Sequence, residues 1–252
     1  MAQVLILSVL QGVAEFLPIS SSGHLALGKS LLGLGETGLR LDVALHVGTL
    51  VAVFAFYWTV VRRILVCREW SYVGKVVLSA VPAGLVGVLL KDQLETAFAS
   101  TQAVGGCLIA TGLILTATRF LPRGEKGVSV FSALGMGLAQ AVAILPGISR
   151  SGMTLAAARL AKIDAEKAAE FSFLMSAPPI AGAALLEILK GLKAAEPVAD
   201  EVSWTLCGVG ALVAAVVGYF SLKVLLRSLK SDRFWLFGPY CFFAGCLALF
   251  CR

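Results

Sequence analysis

Hydrophobic positions in this chain neither alternate nor recur only every third or fourth residue. They fill whole stretches, and about 20 apolar residues of helix are enough to cross a bilayer core. Such stretches lie at about 42–61, 72–90, 102–118, 170–189, 204–226 and 234–251, and each predicts a transmembrane helix. Two further apolar, helix-like segments, 2–17 and 129–145, end differently. Each runs into a proline, a cluster of hydroxyls and a glycine, followed by a short amphipathic stretch at 22–33 or 152–162. Non-helical backbone survives at membrane depth only where protein or a wet cavity surrounds it. Two re-entrant helical hairpins meet that constraint better than two more spans.

The two broken segments resemble each other. At an offset of 129 residues, Gln11/Gln140, Val13/Val142, Ala14/Ala143, Ile19/Ile148, Ser20/Ser149, Ser22/Ser151 and Gly23/Gly152 coincide, seven identities in the thirteen positions from 11 to 23. The expected fold class is an all-α integral membrane protein built as an inverted repeat. Residues 1–121 and 128–252 form its two halves within a single membrane domain, each a re-entrant hairpin followed by three transmembrane helices. An odd number of spans per half turns the second copy upside down. The hairpins then enter from opposite faces and their tips meet near the midplane. The turn-rich segment 121–127 is the joint.

Composition excludes a soluble globular domain: of 252 residues, 58% are hydrophobic and 14% charged, with a mean hydropathy of +0.90. A net charge of +6 would suit a polyanion, but its distribution argues for topology instead. With six spans, one face collects the twelve cations Arg62, Arg63, Arg68, Arg119, Arg123, Lys126, Arg159, Lys162, Lys167, Arg227, Lys230 and Arg233. The other has six: Lys29, Arg40, Lys91, Lys190, Lys193 and Arg252. The richer face is expected to be cytoplasmic, and nucleic acid is not an expected partner. Six cysteines show no CxxC spacing and no His companion, and five fall in apolar stretches as small hydrophobes. Lys29 is the first basic residue, so residues 1–17 are not expected to be a signal peptide. The longest hydrophilic connection is about 190–203.

Polar and ionisable groups are costly in hydrocarbon, so those in the hairpins are the functional candidates. Gln11 and Glu15 are four apart on one helical face, and Ser8 extends the stripe by a turn. Gln11 and Ser8 suit an interhelical hydrogen-bond seam equally well. The Glu15 carboxylate, however, needs a cation, a proton or an arginine. A hard divalent cation held by carboxylate and amide oxygens is one candidate. Ser20, Ser21, Ser22, Gly23 and His24 follow Pro18. One hydroxyl would cap the helix; three and a histidine point to an anion site at the helix N-terminus, with His24 as base for a serine or a water. His46 lacks such company and is expected to be structural.

In the second hairpin, Arg150 stands where Ser21 stands in the first, flanked by Ser149, Ser151 and Thr154. A guanidinium there suits bidentate contact with an oxyanion. Pairing with Glu15 or Glu170 to hold helices together is compatible with that role. The chain has no Walker loop. It also lacks a Cys nucleophile with an Arg five residues on, and the Ser-Arg, His and Asp spacing of acid-phosphatase-like lipid phosphatases.

The Gln11/Glu15 pair, the Pro18–His24 stretch and the Pro146–Thr154 stretch together resemble the signatures of the undecaprenyl-diphosphatase family of BacA/UppP type. The similarity extends end to end, including the segment from Phe171 to Pro178. The resemblance implies hydrolysis of a C55 polyprenyl diphosphate to the monophosphate in the bacterial inner membrane. That reaction recycles the carrier lipid of cell-wall glycan synthesis and confers bacitracin resistance. It also implies Glu15, Ser21, His24 and Arg150 as catalytic residues, with Mg²⁺ or Ca²⁺ assisting. Many members have Glu where this chain has Gln11, which leaves Glu15 as the better metal ligand. Gln11, Ser20, Ser22, Gly23, Ser149, Ser151 and Thr154 are the expected substrate-binding residues.

The expected mechanism brings the pyrophosphate into a midplane cavity from the non-cytoplasmic side. Arg150 and a Glu15-held cation neutralise it while His24 activates Ser21 or a water. Both modes of attack stay open at this stage, as do a homodimer and flipping of the product. A polyprenyl-phosphate flippase is the rival, because inverted repeats with broken helices are also transporter architecture. Transport would need the anion site but no base.

Overall fold

The computed structural model describes residues 1–33, 39–90, 100–193 and 202–250. Those residues are helical and form no strand, only two isolated parallel bridges. Helices α1 (Ala2–Ala14) and α2 (Ser21–Leu31) make a helix–turn–helix, followed by α3 (Leu39–Phe56), α4 (Trp58–Val66), α5 (Trp70–Leu89) and α6 (Thr101–Ala117). A second helix–turn–helix, α7 (Val130–Val142) and α8 (Arg150–Leu160), leads into α9 (Ala165–Leu174), α10 (Ala177–Lys193), α11 (Trp204–Lys230) and α12 (Phe237–Phe250). Lys91, Arg252, Cys251 and most of the 190–203 connection fall outside the described residues.

By length and composition, three helices among the described residues are apolar enough to cross a membrane: α5, α6 with its extension to Phe120, and α11. The α3–α4 pair counts as a fourth if taken as one span. Val77, Val81, Leu85 and Val88 leave an apolar face of α5 exposed, as a lipid-facing helix requires. The chain is a multi-pass helical membrane protein.

Two expected continuous stretches are interrupted. The 42–61 stretch bends by 72° between α3 and α4, at Tyr57. Helix α4 buries no residue, and beyond the bend Arg63 meets Glu69 at 3.2 Å and Glu170 at 3.7 Å. The bend keeps those charges in reach of one another. The 170–189 stretch divides into α9 and α10 at Met175–Ser176. Pro178 and Pro179 have no N–H to donate to the carbonyls of residues 174 and 175, so the helix restarts with both prolines in its first turn.

Packing pairs each helix–turn–helix with a helix from the other half. Helix α1 lies against α11, α7 against α5, and α6 against α12. Small residues make the approaches close, as between helices that share an apolar solvent. A Cβ on Gly137 of α7 would strike Ser79 of α5; one on Gly210 of α11 would lie 2.9 Å from Ser8 Oγ of α1. The 129-residue offset carries Ser8 to Gly137 and Ser79 to Gly208, two residues from Gly210, so a glycine–serine contact occurs twice at nearly matched positions. Below the turns, Phe16 and Phe173 meet edge to face at 5.4 Å within a core that also buries Met136, Leu155 and Leu222. The 121–127 joint is strapped down: Lys126 N donates to Lys162 O and Asp164 N to Lys126 O, both at 3.0 Å.

Candidate active site

Helix α1 ends at Glu15, whose backbone N–H still donates to Gln11 O at 2.9 Å. That last turn stacks the two side chains, and Gln11 Nε2 donates to Glu15 Oε2 at 3.1 Å. Both are buried, Gln11 completely and Glu15 to 6% exposure. The chain then turns through Pro18 to Ser20, which adopts φ +69°, a conformation uncommon for any residue but glycine. Ser20 caps α2, its Oγ accepting from Gly23 N at 3.4 Å and lying 3.4 Å from Ser22 Oγ.

The second turn repeats the design. Ser149 caps α8, accepting from Gly152 N at 3.1 Å, with its Oγ 3.3 Å from Ser151 Oγ. Here the left-handed residue is Gly147, at φ +95°. A Cβ on it would strike the Val104 carbonyl and come within 2.7 Å of Cys107 Cβ, so only glycine lets this turn seat against α6. Thr111 of α6 secures it, donating to Gly147 O at 3.0 Å and accepting from Ser149 N at 3.1 Å. On the other side, Cys241 of α12 donates to Pro18 O at 3.3 Å. Pro18 and Gly147 are counterparts under the offset, so each turn is held by a helix of the α6/α12 pair at the same position.

The two turns touch. A Cβ on Gly23 would lie 3.2 Å from Gly147 Cα, and Ser151 Oγ donates to Leu17 O at 3.4 Å. Across this contact Arg150 Nη2 forms an ion pair with Glu15 Oε1. The other carboxylate oxygen accepts from Ser21 Oγ at 2.6 Å as well as from Gln11, and His46 Nε2 lies 3.7 Å away. The buried carboxylate thus has a guanidinium and two hydrogen-bond donors, which compensate its charge. It also holds the Ser21 hydroxyl by its proton, at the first turn of a helix whose free N–H groups favour an anion.

Glu15, Ser21, Arg150 and Gln11 therefore converge. The expected pairing of His24 with Ser21 is not made: His24 Nδ1 lies 2.9 Å from Ser20 O and Nε2 2.8 Å from Tyr240 Oη. Thr154 turns inward, fully buried, bonding Arg150 O at 2.9 Å and Ser172 Oγ at 2.6 Å. It braces the arginine's helix from behind. His46, expected to be structural, stands beside Glu15 with its Nδ1 2.7 Å from Asp42 O. Its signal was an ionisable side chain within an apolar stretch, which carries a functional presumption on its own. Tyr240 and Thr111 had no such signal, being ordinary hydroxyl residues in apolar helices. Within the two hairpins, Gln11 Oε1 and both amide atoms of Gln140 are buried with no hydrogen-bond partner among the described residues.

Residues 4–247 match the family model described as "Bacitracin resistance protein BacA". A protein of Halothermothrix orenii named undecaprenyl-diphosphatase is 37% identical over 253 residues, covering 98% of this chain and 96% of its own. One of the same name from Parabacteroides distasonis is 37% identical over 259 residues, covering 99% and 97%. Another from Bacteroides thetaiotaomicron is 38% identical over 253 residues, covering 96% of each chain.

Proposed function

The chain belongs to the bacitracin resistance protein BacA family, and from that premise we propose that it hydrolyses undecaprenyl diphosphate to undecaprenyl monophosphate and inorganic phosphate. Named relatives matched over nearly their whole length support the substrate. The observation that carries the chemistry is the Ser21–Glu15–Arg150 cluster, assembled from two turns, with Glu15 and Arg150 135 residues apart in the chain.

In this mechanism Arg150 shifts its guanidinium from Glu15 to the terminal phosphate, binding two oxygens in its planar fork. Glu15, freed of its ion pair, takes the Ser21 proton through the existing 2.6 Å hydrogen bond. Ser21 Oγ attacks the terminal phosphorus, the bridging P–O bond breaks, and the lipid monophosphate leaves. Water then hydrolyses the phosphoserine, with His24 as its base. The paired hydroxyls Ser20/Ser22 and Ser149/Ser151 and the N–H groups of α2 and α8 cradle the remaining oxygens.

The residues suit a divalent cation, Mg²⁺ or Ca²⁺, that arrives with the diphosphate. Gln11 Oε1 is a buried acceptor with no partner among the described residues, and Glu15 beside it supplies carboxylate oxygens. Hard cations take such oxygens together with substrate phosphates. When bound, the cation would neutralise phosphate charge that a lone carboxylate repels. Chelation should therefore abolish activity and Mg²⁺ or Ca²⁺ restore it, whereas Glu15→Gln should blunt the restoration. Full turnover in excess chelator would remove the cation from the scheme.

The helix–turn–helix pairs are, in this proposal, re-entrant hairpins entering from opposite faces of an inverted repeat in the bacterial inner membrane. The site would open to the non-cytoplasmic side. Support comes from the nearly matched Ser8–Gly210 and Gly137–Ser79 contacts and the matched holds of Thr111 and Cys241 on opposite turns. A flippase would use the same anion site but has no need of a serine hydrogen-bonded to a carboxylate. Phosphate release by purified protein in detergent, with no sealed membrane, tests the proposal. Wild type should release phosphate, and Ser21→Ala should lose at least about 10²-fold. Lipid transfer across vesicles without phosphate release would favour the flippase, and an active Ser21→Ala would shift the attack to water.

A further inference from the structure

Outside the Glu15 cluster, His24 is held at both ring nitrogens. Its Nδ1 lies 2.9 Å from the carbonyl of Ser20, an atom that can only accept, so Nδ1 carries the proton. In the neutral ring Nε2 is then a bare acceptor, and it lies 2.8 Å from the hydroxyl of Tyr240, which donates to it. The two rings also stack, with centroids 5.8 Å apart and planes 14° from parallel. Tyr240 comes from α12, the far end of the chain, 216 residues away. The next residue, Cys241, donates to Pro18 O, so one short piece of α12 grips the first turn on both sides of Ser20. The left-handed conformation of Ser20 aims its carbonyl at His24, whose backbone N–H donates to that oxygen at 3.1 Å.

We propose that Tyr240 is a positioning residue for the hydrolysis, fixing the direction in which the Nε2 lone pair of His24 points, while Ser20 O sets the tautomer. Its hydroxyl occupies the one Nε2 lone pair in the resting site, so the ring is aimed along that line and Tyr240 gives way when the water takes its place. Without the hydroxyl, the Ser20 contact at Nδ1 still opposes a flip but leaves the tilt of the ring about that bond unfixed. The inference rests on the reading that His24 serves the reaction.

Tyr240→Phe keeps the stacked ring and removes only the hydroxyl. It should lower kcat roughly ten-fold with KM little changed, the scale of one lost orienting hydrogen bond. Placed in a His24→Ala background, the same substitution should cost nothing further, because its effect runs through His24. Wild-type kcat in Tyr240→Phe overturns the proposal, as does an equal loss in both backgrounds, which would mark a packing role. Wild-type turnover in His24→Ala overturns it too, since nothing would be left to position. A readout independent of turnover is the ¹⁵N spectrum of histidine-labelled protein, with His24 assigned by its loss in His24→Ala. The Nε2 resonance should show an unprotonated nitrogen in the wild type and move in Tyr240→Phe. An unmoved resonance overturns the positioning role. A resonance that moves in a protein with no hydrolytic activity instead removes the hydrolase reading and leaves the positioning contact in place.

Discussion

Arg150 is the residue on which anion binding and helix packing are hardest to separate, because it contacts Glu15 of the other turn. Lysine separates the roles: it keeps the charge and loses the planar fork. If the guanidinium only tied the turns together, Arg150→Lys would stay folded and close to wild-type activity. The mechanism proposed for Arg150 expects a loss of about 2–4 kcal/mol of transition-state stabilisation, seen mainly in kcat, with an unchanged gel-filtration profile. At this scale the sequence was most legible where charge met hydrocarbon. Glu15 and Arg150 stand out because neither is tolerated there without a partner. Their pairing with each other was foreseen only as one of two options. Ser21 bonding to Glu15 rather than His24 was not foreseen, because a one-residue change around a helix start redirects a side chain by about 100°. Tyr240 was invisible for a different reason: its partner is 216 residues away and no motif links them.

Among the elements, the two helix–turn–helix units were legible to within about three residues at each end. Proline, hydroxyl caps and glycine are local signals that need no tertiary context. The breaks at Tyr57 and at Met175–Ser176 were not anticipated, since hydropathy continues through both. Pro178 and Pro179 did carry the second signal, and apolar length outweighed it. The second turn depends on a glycine backbone. Gly147→Ala would place a Cβ against the Val104 carbonyl in a left-handed conformation, so it should cost on the order of 2–3 kcal/mol of stability and lower the detergent Tm. Gly135→Ala is the matched control, with open space around its Cβ within a helix, and should be neutral or slightly stabilising. Equal Tm values for the two variants would mean that the turn is not held against α6 as described.

For the whole molecule, repetition was readable from the 129-residue offset, but helix partners were not. Between helices in lipid, apolar side chains do not choose partners; close approaches of small residues do. Thus Gly137 against Ser79 and Gly210 against Ser8 are among the close approaches that fix the packing, and neither pair shows in a hydropathy pattern. The proposed inversion explains why each turn is secured by a helix of the opposite half, and why a carboxylate from one half faces a guanidinium from the other. It requires three membrane crossings between the first hairpin and the second. Topology reporters inserted within 122–126 and fused at residue 252 test this most directly. The inverted arrangement predicts opposite sides, with the 122–126 insertion cytoplasmic, as the basic residues Arg119, Arg123 and Lys126 favour. Both reporters on the same side would mean an even number of crossings per half, hairpins entering from one face, and no inverted pair of tips to form the site.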